Sequence, residues 1–215
     1  MKSQARAFAW LWIFGIALGW FEASVVVYLR AIYYPEGFQF PIVILPTRIA
    51  VVEITREVAS FVLLAATAWL AGRRFHERFA AFLILFGVWD LVYYAGLKVA
   101  LDWPPSLATW DILFLIPLPW SGPVWAPMLV SVALIACGSF LYLTPIPRRL
   151  TRLDWIVEIA AGLAIIASFL AEWRTVVEQR VPREFSEPLF FAGLVAGIVW
   201  FLAAMRRSDS ESRRQ

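Results

Sequence analysis

Six apolar stretches alternate with short polar or proline-rich connections along the 215 residues of this chain. They run over about 8–29, 48–71, 79–101, 124–143, 155–173 and 189–205. Each approaches the ~20 residues that a helix needs to cross a bilayer. The pattern predicts an all-α fold, a polytopic transmembrane bundle of six spans. Residues 1–205 form a single transmembrane domain on this reading, and 206–215 a polar cytoplasmic tail.

The connections differ in kind. The one at 31–41 is aromatic and broken by Pro35, Gly37 and Pro41. The one at 102–123 holds Pro104, Pro105, Pro117 and Pro119, which forbid a continuous helix. Its apolar centre, Ile112 to Ile116, is too short to span. A short re-entrant or interfacial segment is expected near 107–121, packed on the bundle. The first stretch has a basic start, as a signal peptide does. It is long, however, and no small-x-small cleavage site follows it, so it reads as a retained helix.

Charge sets the orientation. Twelve Lys and Arg residues fall in 1–6, 72–78, 144–154 and 206–215, against three in 174–188 and none in 31–41 or 102–123. Basic loops stay cytoplasmic, so both termini are expected in the cytoplasm of a cell inner membrane. The same placement explains the net charge of +3 without nucleic acid as a partner. The bilayer is the first partner expected, and a membrane protein partner a second possibility.

Composition narrows the chemistry. The chain is 61% apolar and only 16% charged, with mean hydropathy +0.72; a soluble domain carries about 25% charged residues. The single cysteine, Cys137, lies in an apolar run and reads as a small core residue. The single histidine, His76, lies in a basic cytoplasmic loop. That excludes a Ser-His-Asp triad, a bis-His haem and a multi-His metal site. There is no P-loop, no GxGxxG and no HExxH. No cofactor and no metal centre is expected.

The informative residues are charges where lipid tolerates none alone. Four basic residues remain after the loops are counted: Arg30, Arg48, Arg56 and Lys98. Four acids lie in the first three spans: Glu22, Glu53, Glu57 and Asp90. The two sets balance, as a paired network would. Glu53, Arg56, Glu57 and Ser60 share a face of the second span, and Asp90, Tyr94 and Lys98 follow one face of the third. With the predicted orientation, all of them fall in the outer half of the membrane. They predict an outward-facing pocket that binds or processes a lipid-like or small ligand. Asp90, Glu53 and Glu57 are the candidate catalytic acids or bases. Glu22, Arg30, Arg48, Arg56, Tyr94 and Lys98 are the candidate ligand-binding residues, with Trp103, Trp110 and Asp111 as a lid. Asp90 or Asp111 also offers oxygen ligands to a hard cation. Two other classes fit the same charges. An accessory or assembly subunit would use them as structural ion pairs, and a proton-coupled transporter as a relay.

Three stretches carry a resemblance: Tyr28-Leu-Arg30-Ala-Ile-Tyr-Tyr-Pro-Glu-Gly-Phe38, Phe86-Gly-Val-Trp-Asp90-Leu-Val-Tyr-Tyr94 and Trp110-Asp-Ile-Leu-Phe-Leu-Ile-Pro-Leu-Pro-Trp120. They resemble segments of uncharacterised bacterial polytopic membrane proteins, over roughly residues 10–135. The resemblance implies a bacterial origin and carries no known activity.

Overall fold

The computed structural model describes residues 2–144 and 150–212. Its scaffold is helical: α1 (Lys2–Tyr33), α2 (Thr47–Ala71), α3 (Phe75–Leu101), α4 (Trp125–Leu143), α5 (Arg152–Leu170), α6 (Trp173–Val177) and α7 (Glu187–Ser212). Two short strands, β1 (Trp110–Phe114) and β2 (Trp120–Pro123), interrupt it. Five helical segments are long and apolar enough to cross a membrane: Gln4–Tyr33, Phe75–Leu101, Trp125–Leu143, Arg152–Val177 and Glu187–Arg207. They support a transmembrane protein. The second helix, with four charges in its first half, is not among the five.

Local chemistry sets the helix ends. Helix α1 stops at Tyr33, two residues before Pro35. Helix α2 starts directly after Pro46, whose ψ of 140° is extended. Helix α3 opens where Glu77 accepts from the amides of Arg73 (2.8 Å) and Arg74 (3.2 Å). It closes at Asp102, which turns left-handed (φ 51°) before Pro104 and Pro105. Helix α7 outruns its expected end at 205 and continues to Ser212. Hydropathy marks the part of a helix that suits lipid, whereas backbone hydrogen bonding continues through Arg206 and Arg207. The expected tail is therefore helical as far as it is described; 213–215 lie outside the described residues, as do Arg148 and Arg149 of the basic loop.

Contacts gather into two compact units. The first comprises 1–144 and 173–182. Helix α3 is its axis: Ala80, Ala81, Ile84, Leu85 and Leu97 are wholly buried. Glycines let neighbouring backbones come close, as small residues do between membrane helices. A Cβ on Gly19 of α1 would sit 2.5 Å from the Trp89 carbonyl, and one on Gly87 would sit 2.6 Å from the Ser131 carbonyl of α4. Helix α2 buries one stripe, Glu53, Glu57, Ser60, Leu64 and Ala68, at helical spacing. The stripe begins acidic and ends apolar.

The expected re-entrant or interfacial segment is a β-hairpin. Strands β1 and β2 pair antiparallel, with Trp110 opposite Pro123, Asp111 opposite Gly122 and Ile112 opposite Ser121. An irregularity between Ile112 and Phe114 shifts the register. Phe114 packs on Trp89 (6.2 Å) and Phe61 (5.3 Å), which seats the hairpin against α3 and α2.

The second unit comprises 145–172 and 183–215, chiefly α5 and α7. Gly193 approaches the Ala161 carbonyl closely enough that a Cβ would lie 2.7 Å from it. Phe169, Phe185 and Phe190 form an aromatic cluster with centroids 5.5–5.8 Å apart. Thr151 caps α5, and its side chain accepts from the Asp154 amide at 3.2 Å.

Candidate functional site

The first unit holds a cavity of about 420 Å³. One part of its wall is charged and the other apolar. Helix α1 gives it Glu22 and Arg30; α2 gives Glu53, Arg56, Glu57 and Ser60; α3 gives Asp90, Tyr93 and Tyr94; β1 gives Asp111. The apolar wall comes from Ile42 to Leu45, Ile112 to Leu115, and Val176 with Val177.

Six polar contacts organise the charged wall. Arg56 joins two helices: it donates to Glu22 of α1 and, at 2.8 Å, to Glu53 one turn earlier on α2. Ser60 donates to the other oxygen of Glu22. Arg30 Nη2 donates to Asp111 Oδ1 at 3.0 Å, tying α1 to the hairpin across 81 residues of sequence. The Arg30 guanidinium lies between two aromatic faces, 3.8 Å from Trp103 and 4.4 Å from Phe38. Glu57 accepts the Leu115 amide on both oxygens, at 3.1 and 2.9 Å. This satisfies a backbone donor at the irregular end of β1, where lipid would leave it bare. Finally, Ser131 of α4 donates to Asp90 Oδ2 at 2.8 Å.

The connection 34–46 is held by a tyrosine. The Val43 amide donates to the Tyr34 hydroxyl at 2.8 Å. Burial pushes the Tyr34 phenol above its ordinary value, against the pull of that amide and of Arg30. It stays neutral and serves as an acceptor.

Most of the sequence-derived set meets here. Asp90, Glu53 and Glu57 line the cavity, as do Glu22, Arg30, Arg56, Tyr94 and Asp111. Trp103 is buried against Arg30, its ring 3.8 Å from the guanidinium. Trp110 faces Pro123 across the hairpin. Two expected wall residues lie elsewhere. Lys98 is exposed at the end of α3, where it pairs with Asp102 Oδ1 at 2.6 Å and donates to the Pro104 carbonyl at 3.1 Å. Helical drift explains this. Four residues turn a helix about 40° past a full circle, so Lys98 is rotated about 80° from Asp90. The Lys98 ammonium in turn holds the Asp102 carboxyl below its usual range. Arg48 sits exposed on the first turn of α2.

The expected charge balance therefore fails at the cavity. Five carboxyl groups face two guanidiniums. Among the described residues no Lys or Arg reaches within ion-pair distance of Asp90 or Glu57. Among the described residues no group of three or more His, Cys, Asp or Glu is placed to hold a metal ion. Tyr93, Ser131 and the apolar wall are additions that the structure makes to the expected set. Tyr93 adjoins Tyr94 and is legible by proximity; Ser131 and Val176 reach the site only through tertiary packing. No protein-family model, curated protein or solved structure matches this chain.

Proposed function

We propose that the protein is a bacterial inner-membrane protein of six spans whose cavity opens toward the outside and binds or processes a lipid-like or small ligand. Helix α2 is the sixth span on this reading. Its 25 residues extend about 37 Å at 1.5 Å per residue, more than the hydrocarbon thickness of about 30 Å. Its buried acids face protein, where the cost of carrying them through lipid is offset. The positive-inside count then leaves both termini in the cytoplasm and the 31–46 and 102–123 connections outside.

The observation that carries the ligand reading is the cavity's two-part wall. A space of about 420 Å³ falls within the usual size of a small-molecule site, roughly 300–1,000 Å³. An apolar wall beside a small set of fixed polar groups is the composition that binds an amphiphile. Asp90, Glu53 and Glu57 are the groups placed to exchange protons with it.

The test is to purify the protein in a neutral maltoside and analyse it by native mass spectrometry beside Asp90→Asn and Glu53→Gln. A bound amphiphile on the wild type, lost from variants that remain folded, is the expected result. A bare wild type, or two variants that unfold alike, would instead support a subunit that uses its charges only as structural ion pairs. The topology is checked with C-terminal reporter fusions; a periplasmic C-terminus would overturn the six-span assignment.

A further inference from the structure

Resting on the ligand-binding reading above, we propose that the cavity selects an organic ammonium group, seated against Asp90 and the aromatic rings beside it. Charge points this way first. Both guanidiniums of the wall are already engaged, Arg56 by Glu22 and Glu53, and Arg30 by Asp111. Arg30 is also covered by Trp103 and Phe38, and its Nη1 is buried without a hydrogen-bond partner. An anionic head would find a single unpartnered guanidinium nitrogen, the sealed Arg30 Nη1, against an excess of carboxyls. Five carboxyls against two guanidiniums leave three acids to be neutralised from elsewhere.

Asp90 is the acid with capacity to spare. Glu22 is held by Arg56 and Ser60, and Glu57 by the Leu115 amide. Asp90 receives one hydroxyl, from Ser131, on one oxygen. Asp111 is held by Arg30 through Oδ1, and its unpartnered Oδ2 is sealed in the same way as Arg30 Nη1. Both acids line the cavity.

The surroundings are the second observation. Trp89, Tyr93 and Tyr94 line the cavity on either side of Asp90 in sequence. Aromatic faces attract ammonium cations through their quadrupole, and more strongly where water is excluded. Aromatic rings together with carboxylates that outnumber the bases are the recognition chemistry of an amine. The apolar wall suits a hydrocarbon chain attached to it. Protons are the competing neutraliser: a cavity discharged by protons has no reason to prefer an amine over an alcohol.

The test compares decylamine, decanol and decanoate on the full chain in neutral maltoside micelles, read by quenching of tryptophan fluorescence and by thermal shift. The wild type should bind decylamine at least about tenfold more tightly than decanol, and decanoate more weakly than either. Asp90→Asn, which keeps an acceptor for Ser131, should bring decylamine down to the level of decanol. Taking the ratio between wild type and variant cancels partitioning of the probes into micelles. Should Asp90→Asn not fold, protection of wild-type Asp90 from a hydrophobic carbodiimide, read by peptide mass spectrometry, replaces it: decylamine should protect and decanol should not. Equal binding of amine and alcohol, or an amine preference unchanged in Asp90→Asn, overturns the ammonium assignment and leaves the ligand reading standing. Failure of all three probes to bind overturns both.

Discussion

Asp154 of the second unit and Asp90 of the first are both buried, and they are treated very differently. In the second unit Asp154 is saturated. Its oxygens accept from the Thr151 amide and hydroxyl, both at 2.8 Å, from Trp200 Nε1 at 2.9 Å, and from Arg207. Those donors come from the helix cap below it and from α7 beside it, so the carboxylate joins two elements. In the first unit Asp90 is also buried but receives a single hydroxyl. A saturated buried acid is an architectural part. An undersupplied one beside a cavity is where a ligand finds something to bind. Burial alone does not separate the two cases; the count of donors does.

The comparison is exposed to four substitutions. The largest effect is expected at Arg30, which shows what a fully buried pair in the first unit contributes. Arg30→Ala strands Asp111 and should lower stability by about 3–5 kcal/mol, the usual result of removing one partner of a buried pair. Replacing both, as Arg30→Met with Asp111→Leu, should recover most of that loss in denaturant titrations of the micellar protein. Next comes Asp154→Ala. It leaves the Trp200 indole and the α5 cap without their acceptor and should cost about 1–3 kcal/mol. Ligand occupancy of the first unit should not change; a fall in occupancy would break the division between the two aspartates. Asp90→Asn is third. It keeps an acceptor for Ser131 and should change the unfolding midpoint little, while the co-purifying ligand disappears from the mass spectrum. A large loss of stability here would place Asp90 with Asp154. Smallest is Lys98→Met. The pair with Asp102 is exposed and screened, so neither midpoint nor occupancy should move. The Asp102 carboxyl alone should return toward its ordinary value by NMR titration. A depressed carboxyl pKa favours the fold above its unfolded value and ceases to do so as pH falls through the folded one.

Much of this was legible in the chain. Expected helix boundaries at 48, 71, 101 and 143 fall within a residue of Thr47–Ala71, Leu101 and Trp125–Leu143, because Pro46, Gly72 and Pro104 sit beside the places where apolar periodicity stops. The α2 face was legible too, since Glu53, Glu57 and Ser60 repeat at helical spacing. The failures have a common cause. Spacing gives an angle around one helix and says nothing of what stands opposite. Lys98 drifted off the face, and Arg48 lies at an exposed helix start. Asp111 was placed in a lid, with no hint of its pairing with Arg30, because that contact exists only once a hairpin has formed. The strands were equally hidden: Ile112 to Ile116 is too short and too apolar to tell strand from interfacial coil by periodicity.

The hairpin's two fastenings have a direction in time. Both receptors, Arg30 and Glu57, precede the groups they hold, Asp111 and the Leu115 amide, along the chain. Synthesis runs from the N-terminus, so α1 and α2 leave the ribosome before the segment that needs them. The strand with the exposed amide therefore meets its acceptor as it emerges, without waiting for α5 or α7. A truncated chain ending after α4 already contains both hydrogen-bonded fastenings and lacks the packing of α6 on β2.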